Sequence, residues 1–299
     1  MKVKIVFTLI TTCLVSLTVL ITLSISNPQW FQSLRFATTG YNEEAVTHLN
    51  QGVAKFGEKD YFGAITAFDT AIRIEPRFAE AYYNRGTVKM ALDAAQEAIV
   101  DYDQAIKLKP DYAKAYYSRG IAKESMVSVG AAIADYNRAI KFDPDDATAY
   151  YARGNANASI RHYFSAIADY DQVIELDPDN GVAYRNRGEM KAALQQNEAA
   201  ITDYDKAIEL EPNDGFAYLS RGEAKRKLGE VEDATQDVQT ALKIAEQTGD
   251  EKLKAHISAP QVIRRIQPYK DEYSIIEERA PPKPQVRKPV VKPLSPPAD

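Results

Sequence analysis

The sequence predicts an all-α array of two-helix repeats, and three observations carry that expectation. Arg-Gly recurs at Arg85-Gly86, Arg119-Gly120, Arg153-Gly154, Arg187-Gly188 and Arg221-Gly222, each step being 34 residues. Proline keeps the same period at Pro76, Pro110, Pro144, Pro178 and Pro212. Asp-Tyr does so at Asp101-Tyr102, Asp135-Tyr136, Asp169-Tyr170 and Asp203-Tyr204. Markers in one register are the signature of a repeat architecture, in which a unit too small to bury its apolar face stacks on its neighbours.

Each unit reads as two helices. In residues 79–112 the apolar face of the first helix runs through Tyr82, Gly86 and Lys89–Met90, and a break is expected near Asp93. The second helix places Ala98, Ile99, Tyr102, Ala105, Ile106 and Leu108 mostly three and four residues apart. That is the spacing of an amphipathic helix. Pro110 stops it, because proline lacks the amide donor the next turn needs. Gly86 and Ala98 let the two helices approach closely, and Ala105 leaves room for the next unit.

This pattern resembles the tetratricopeptide repeat, a helix-turn-helix unit of 34 residues, over six units: 45–78, 79–112, 113–146, 147–180, 181–214 and 215–248. The family's glycine falls at Gly52, Gly86, Gly120, Gly154, Gly188 and Gly222. Its small second-helix residue falls at Ala64, Ala98, Ala132, Ala166, Ala200 and Ala234, and its aromatic at Phe68, Tyr102, Tyr136, Tyr170 and Tyr204. Two terminal units depart: the sixth has Val238 and Glu246 in place of the aromatic and the proline, and the first has His48 in place of a large aromatic. Atypical end units are expected of repeat arrays. The resemblance implies a right-handed superhelical solenoid whose first helices line a concave groove. Gly249 is expected to close the last repeat helix, and Glu251 to Ile257 to add a capping helix.

Composition narrows the function. Among 299 residues, 37 are Lys or Arg and 42 are Asp or Glu, a net charge of -5 that gives no reason to expect nucleic acid. The charge is partitioned: residues 45–248 hold 24 basic against 33 acidic, and residues 249–299 hold 10 against 7. The one cysteine, Cys13, excludes an intramolecular disulfide and a cysteine-based zinc site. Its place inside an apolar run favours a membrane-buried residue over a lipid attachment site. His48, His162 and His256 show no ligand spacing, and no nucleophile-elbow, phosphate-loop or zinc-protease motif occurs. Asp177-Pro178-Asp179-Asn180-Gly181 begins like a calcium loop, but Gly188 stands where that loop needs its bidentate glutamate. No metal, no other cofactor and no enzymatic activity are expected.

The two ends are different materials. Lys2 and Lys4 precede an uncharged run, Ile5 to Ile25, long enough to span a bilayer as a helix. Residues 1–26 are therefore expected to be a signal anchor, or a signal peptide cleaved before Asn27. The basic start places the repeats on the extracytoplasmic side. This suits a bacterial periplasm or cell surface, or secretion after cleavage. Residues 27–44 read as a linker, 249–279 as capping helix and linker, and 280–299 as a disordered, basic tail with seven prolines. Such a tail samples extended polyproline conformations and reads as a solvated spacer, with a docking strand as the sharper alternative.

Two sets of residues bear on binding. Arg85, Arg119, Arg153, Arg187 and Arg221 share a register with Asp101, Asp135, Asp169, Asp203 and Asp237, which predicts a ladder of helix-to-helix ion pairs. A phosphate-binding arginine stripe is the alternative. On the face that the resemblance assigns to the groove stand Tyr83, Tyr117 and Tyr151, then Arg185, with Asn155 and Glu189 one turn further on. Tyrosine offers a large contact area with a polar tip. Asn155 suits a peptide backbone, and Arg185 a carboxylate. The family's clamp for chaperone-tail carboxylates is not expected, since its lysine position holds Leu49, Tyr83, Tyr117 or Tyr151 and its arginine position Asn50, Ser118, Ala152 or Ser220. The expected function is a non-catalytic, anchored or exported scaffold that binds a protein segment in its groove. The alternatives are an accessory subunit of a cell-envelope enzyme and a passive spacer.

Overall fold

Local capping and proline chemistry set the helix boundaries. The computed structural model describes residues 40–258; the apolar run of residues 1–26 and the proline-rich tail lie outside them. Among the described residues there are thirteen helices and no strands. They follow one another as antiparallel-type pairs: α1 (Glu43–Gly57) with α2 (Tyr61–Ile74), α3 (Ala79–Ala91) with α4 (Ala95–Leu108), α5 (Ala113–Ser125) with α6 (Val129–Phe142), α7 (Ala147–Ser159) with α8 (Tyr163–Leu176), α9 (Gly181–Ala193) with α10 (Asn197–Leu210), and α11 (Gly215–Lys227) with α12 (Val231–Thr248). The short α13 (Glu251–Ile257) comes next, where a capping helix is expected. None of these helices is long and apolar enough to cross a membrane. The chain divides into two compact units at Pro178–Asp179, so α1–α8 form the first and α9–α13 the second.

The second helix of each pair ends in the same way. Glu75, Lys109, Asp143, Asp177 and Glu211 each precede a proline and leave the helical region, with ψ between 80° and 88°. The proline ring forbids them the α conformation. The last pair has Glu246 instead, and α12 accordingly runs on to 18 residues. It stops only at Gly249, whose φ of +70° is a left-handed cap that glycine adopts without strain.

The turn inside each pair repeats one backbone device. Lys59, Asp93, Val127, Arg161, Gln195 and Gly229 all lie at positive φ, between 59° and 88°. Their identities share nothing; only their spacing of 34 does.

The core comes from the second helices. Phe68, Tyr102, Tyr136, Tyr170 and Tyr204 are no more than 1% exposed. Each ring occupies the space opposite the glycine of its own pair: a Cβ at Gly120 would sit 2.5 Å from the Tyr136 ring. The alanines expected to allow close approach, Ala64, Ala98, Ala132, Ala166 and Ala200, are fully buried.

Candidate functional site

The arginine ladder is built as the sequence predicts. In the first unit, Nε and Nη2 of Arg85, Arg119 and Arg153 fork onto the buried carboxylates of Asp101, Asp135 and Asp169 at 2.5–3.2 Å. In the second, Arg187 and Arg221 fork onto Asp203 and Asp237 at 2.5–3.0 Å. Each guanidinium also lies 5.3–5.5 Å from the ring of the tyrosine three residues before it, from Tyr82 to Tyr218. Burial works against the charge on Arg85 and Arg119, but their aspartate hydrogen bonds outweigh it and raise both pKa values. With its charges spent internally, the ladder is structural, and no anion-binding stripe emerges from it.

The ladder holds two features that sequence reasoning missed. A lysine one turn after the arginine, Lys89, Lys123, Lys191 or Lys225, contacts the same carboxylate at 2.7–3.0 Å. The remaining arginine nitrogen, Nη1, reaches the second helix of the preceding pair: Arg85 to Asp69, Arg119 to Asp103, Arg153 to Asn137 and Arg221 to Asp205, at 2.5–2.7 Å. Both sets keep the 34-residue period, so the signal was present in the sequence.

The predicted binding residues divide between the two units. In the first, Tyr83, Tyr117 and Tyr151 occupy one register on α3, α5 and α7 and are half-buried. Each tilts against the core tyrosine of its own pair, with centroid separations of 5.9, 5.9 and 6.1 Å to Tyr102, Tyr136 and Tyr170. Tyr83 also meets Tyr112 at 5.1 Å. Burial raises the Tyr117 pKa, and its hydrogen bond with Thr148 opposes the rise. One turn on, Ile121 and Val53 are exposed large apolar residues at equivalent positions of α5 and α1. Thr87 and Asn155, at that same position in α3 and α7, face the hydroxyls of core tyrosines. The Tyr170 hydroxyl donates to Asn155 Oδ1 at 2.8 Å, and the Tyr102 hydroxyl lies 3.5 Å from Thr87. Burial pushes the Tyr102 pKa up to about 12.

In the second unit, Arg185 is already paired with a carboxylate of its own chain. Its Nη1 lies 3.2 Å from Asp214 Oδ1, and its guanidinium stands 5.9 Å from the Phe216 ring centre. Asp214 also caps α11 by accepting from the Phe216 and Ala217 amides. Glu189 retains substantial solvent exposure although many atoms crowd it. That crowding raises its pKa, opposed by Arg185 and His256 and assisted by Asp214. Among the described residues no group of His, Cys, Asp and Glu is arranged to hold a metal ion.

Comparison with known proteins places this arrangement. A family model described as a TPR repeat matches residues 95–126, 128–160 and 188–229, and one described as a tetratricopeptide repeat matches 147–180. A crystal structure of MamA protein is 27% identical, with 57% of this chain and 93% of that chain covered and a TM-score of 0.53. YrrB, described as "a TPR protein with an unusual peptide-binding site", is 24% identical over 59% of this chain and 91% of its own, with a TM-score of 0.52. A tetratricopeptide repeat protein from Parabacteroides merdae is 16% identical over 79% of this chain and 98% of its own, with a TM-score of 0.58. The last two likenesses speak to the fold alone. No curated relative matches significantly.

Proposed function

This chain belongs to the tetratricopeptide-repeat family, and from that premise we propose that it is a non-catalytic scaffold that holds a protein segment against the first-helix faces of its repeats. The family's fold suits protein-protein interaction, and one observation carries the specific reading. On the first unit, Tyr83, Tyr117 and Tyr151 repeat in register, and the exposed side chains of Ile121 and Val53 stand one turn further along the first helices. Half-buried tyrosines fixed by core partners lose little freedom when a partner covers them, and exposed aliphatic residues gain by desolvation.

The test respects the packing of those tyrosines. Substituting Ile121→Asp and Val53→Asp places charge on the face without removing a core contact. Crosslinking in the native host, with identification of the captured proteins, should show capture reduced about tenfold, the effect of ~1.4 kcal/mol. Unchanged capture by a variant of normal helicity overturns the reading.

We further propose that residues 5–25 direct the repeats to the extracytoplasmic side, as anchor or as cleaved signal. The charge-free apolar run behind Lys2 and Lys4 supports this. Intact mass of the membrane fraction decides between the two forms: a chain starting at Asn27 overturns the anchor.

A further inference from the structure

The second unit carries a cavity of about 240 Å³ lined by Glu189, Tyr204, Ser220, Glu223 and Lys227, with alanines between them. The Tyr204 side chain is buried, and it lines this cavity together with Ser220. Burial raises the Tyr204 pKa, and Glu189 and Glu223 add to the rise, so both carboxylates bear on one hydroxyl. These two glutamates differ from the carboxylates of the ladder. Asp203 and Asp237 each hold an arginine and a lysine, whereas among the described residues neither Glu189 nor Glu223 has an ion-pair partner. Arg185 pairs with Asp214 and Lys225 with Asp237, while Lys227, the cation in the lining, forms an ion pair with neither glutamate among the described residues.

The chain itself supplies a complement. Residues 179–258 hold 11 basic against 16 acidic residues, and residues 259–299 hold 8 basic against 5 acidic. The last described helix, α13, packs in the same unit as the cavity, and its His256 stands 6.4 Å from Phe216 of α11. The 25 residues from Ser258 to Lys283 span up to about 80 Å when extended at ~3.3 Å each, so length places no restriction on a return. Prolines stand at 281, 282, 284 and 289, and proline-rich sequence in general loses little entropy on docking.

We propose that the basic proline-rich segment around Lys283, Arg287, Lys288 and Lys292 docks in this cavity of its own chain, setting a cationic side chain between Glu189 and Glu223. The tail then competes with a partner for the first-helix face of the second unit, a built-in occupant that an incoming segment must displace. A tether of this length gives an effective concentration on the order of 1 mM, enough for a weak contact to be populated. The inference rests on reading the first-helix faces as docking surfaces, but it concerns Glu189 and Glu223 rather than the tyrosine register of the first unit.

Zero-length carbodiimide coupling of the full chain, mapped by mass spectrometry, tests it. Coupling is expected between Glu189 or Glu223 and Lys283, Lys288 or Lys292, alongside the control pair Lys109–Glu80, separated by 3.6 Å. In a one-to-one mixture of light and heavy isotopic chains, the tail crosslinks should join chains of the same label. The K283E/R287E/K288E/K292E variant keeps both glutamates and should expose them, raising their labelling by a small soluble amine at least threefold. Absence of tail crosslinks while the control couples, mixed-label crosslinks, or unchanged labelling overturns the proposal. Failure of the Ile121→Asp, Val53→Asp capture test with tail crosslinks intact breaks only the partner reading of the first unit.

Discussion

The helix pairs α5/α6 and α7/α8 are neighbours in the first unit and share one backbone plan, yet they solve two polar problems with different residues. Around Asp135 stand two cations, Arg119 and Lys123, and Arg119 in turn reaches a second anion, Asp103. Around Asp169 stands one cation, Arg153; Asn157 takes the lysine's place at 3.0 Å, and Asn137 takes the outer aspartate's. A lost cation is matched by a lost anion, so each rung is neutral. The buried core tyrosine shows the same exchange. Tyr170 donates to Asn155, but Ile121 cannot accept at the equivalent place, and Tyr136 donates instead to Glu124 Oε2 at 2.7 Å. Repeats drift at single positions, and the comparison teaches that polar function inside the repeat is kept by pairs of changes.

The largest test of that view removes each arginine in turn. Arg119→Ala leaves Asp135, 3% exposed, with Lys123 still 2.7 Å away. Arg153→Ala leaves Asp169, also 3% exposed, with only a neutral amide. A buried carboxylate stripped of its charge partner costs ~3–5 kcal/mol. Arg153→Ala should fall in that range, and Arg119→Ala at least ~1 kcal/mol below it, by urea denaturation. Equal losses mean that Lys123 does nothing for Asp135.

The turns of the same two pairs give a smaller effect of opposite sign. Val127 and Arg161 both stand near φ +60°, and Val127 is 85% exposed. Left-handed backbone costs a side-chain-bearing residue ~1–2 kcal/mol, and a β-branched residue is the worst suited to it. Val127→Gly should therefore stabilise by about 1 kcal/mol, and Arg161→Gly by less, since glycine also loosens the unfolded chain. Thermal melts rank the two; a destabilised Val127→Gly breaks the account.

These turns also mark where sequence reading stopped. The repeat register, the proline stops and the ladder were legible, because each rests on a residue type whose chemistry requires it. The left-handed positions were not, because Lys59, Asp93, Val127, Arg161 and Gln195 meet a demand of the backbone rather than of their own side chains. The shared register of Tyr83, Tyr117 and Tyr151 was legible, but their depth was not: only the structure shows each ring leaning on a core tyrosine. Arg185 reads as a free cation until Asp214, 29 residues later, is brought to it.

The tyrosine hydroxyls sharpen the comparison further. A hydrogen bond to a charged acceptor contributes ~1.5–3 kcal/mol and one between neutral groups ~0.5–1.5. Tyr136→Phe should therefore cost more than Tyr170→Phe, by roughly 1 kcal/mol. Burial, then the hydrogen bond to Glu124, raise the Tyr136 pKa, so the phenol stays protonated and donating throughout the neutral range. Equal losses in the two variants mean that the Glu124 acceptor adds nothing beyond the neutral amide of Asn155.

The smallest effect addresses neutrality itself. Lys123→Asn and Asp103→Asn convert the Arg119 rung to the composition of the Arg153 rung, one residue at a time. Asp103→Asn alone removes a partly exposed anion, a pair worth ~0–1 kcal/mol, and leaves two cations on one buried carboxylate. Lys123→Asn alone removes a cation and leaves two carboxylates on one arginine. Each single variant unbalances the rung by one charge, and the double variant restores the balance. The double variant should thus be more stable than the two single losses add up to, by about 0.5 kcal/mol, the lower end of coupling between residues of one network. Because Asp103 is exposed and Lys123 partly so, that coupling should shrink as salt screens it over ~10 Å at 0.1 M and ~3 Å at 1 M. Strict additivity at low salt leaves the paired replacement of Lys123 and Asp103 by Asn157 and Asn137 without an energetic cause. A coupling that persists unchanged at 1 M salt assigns it to packing instead of charge.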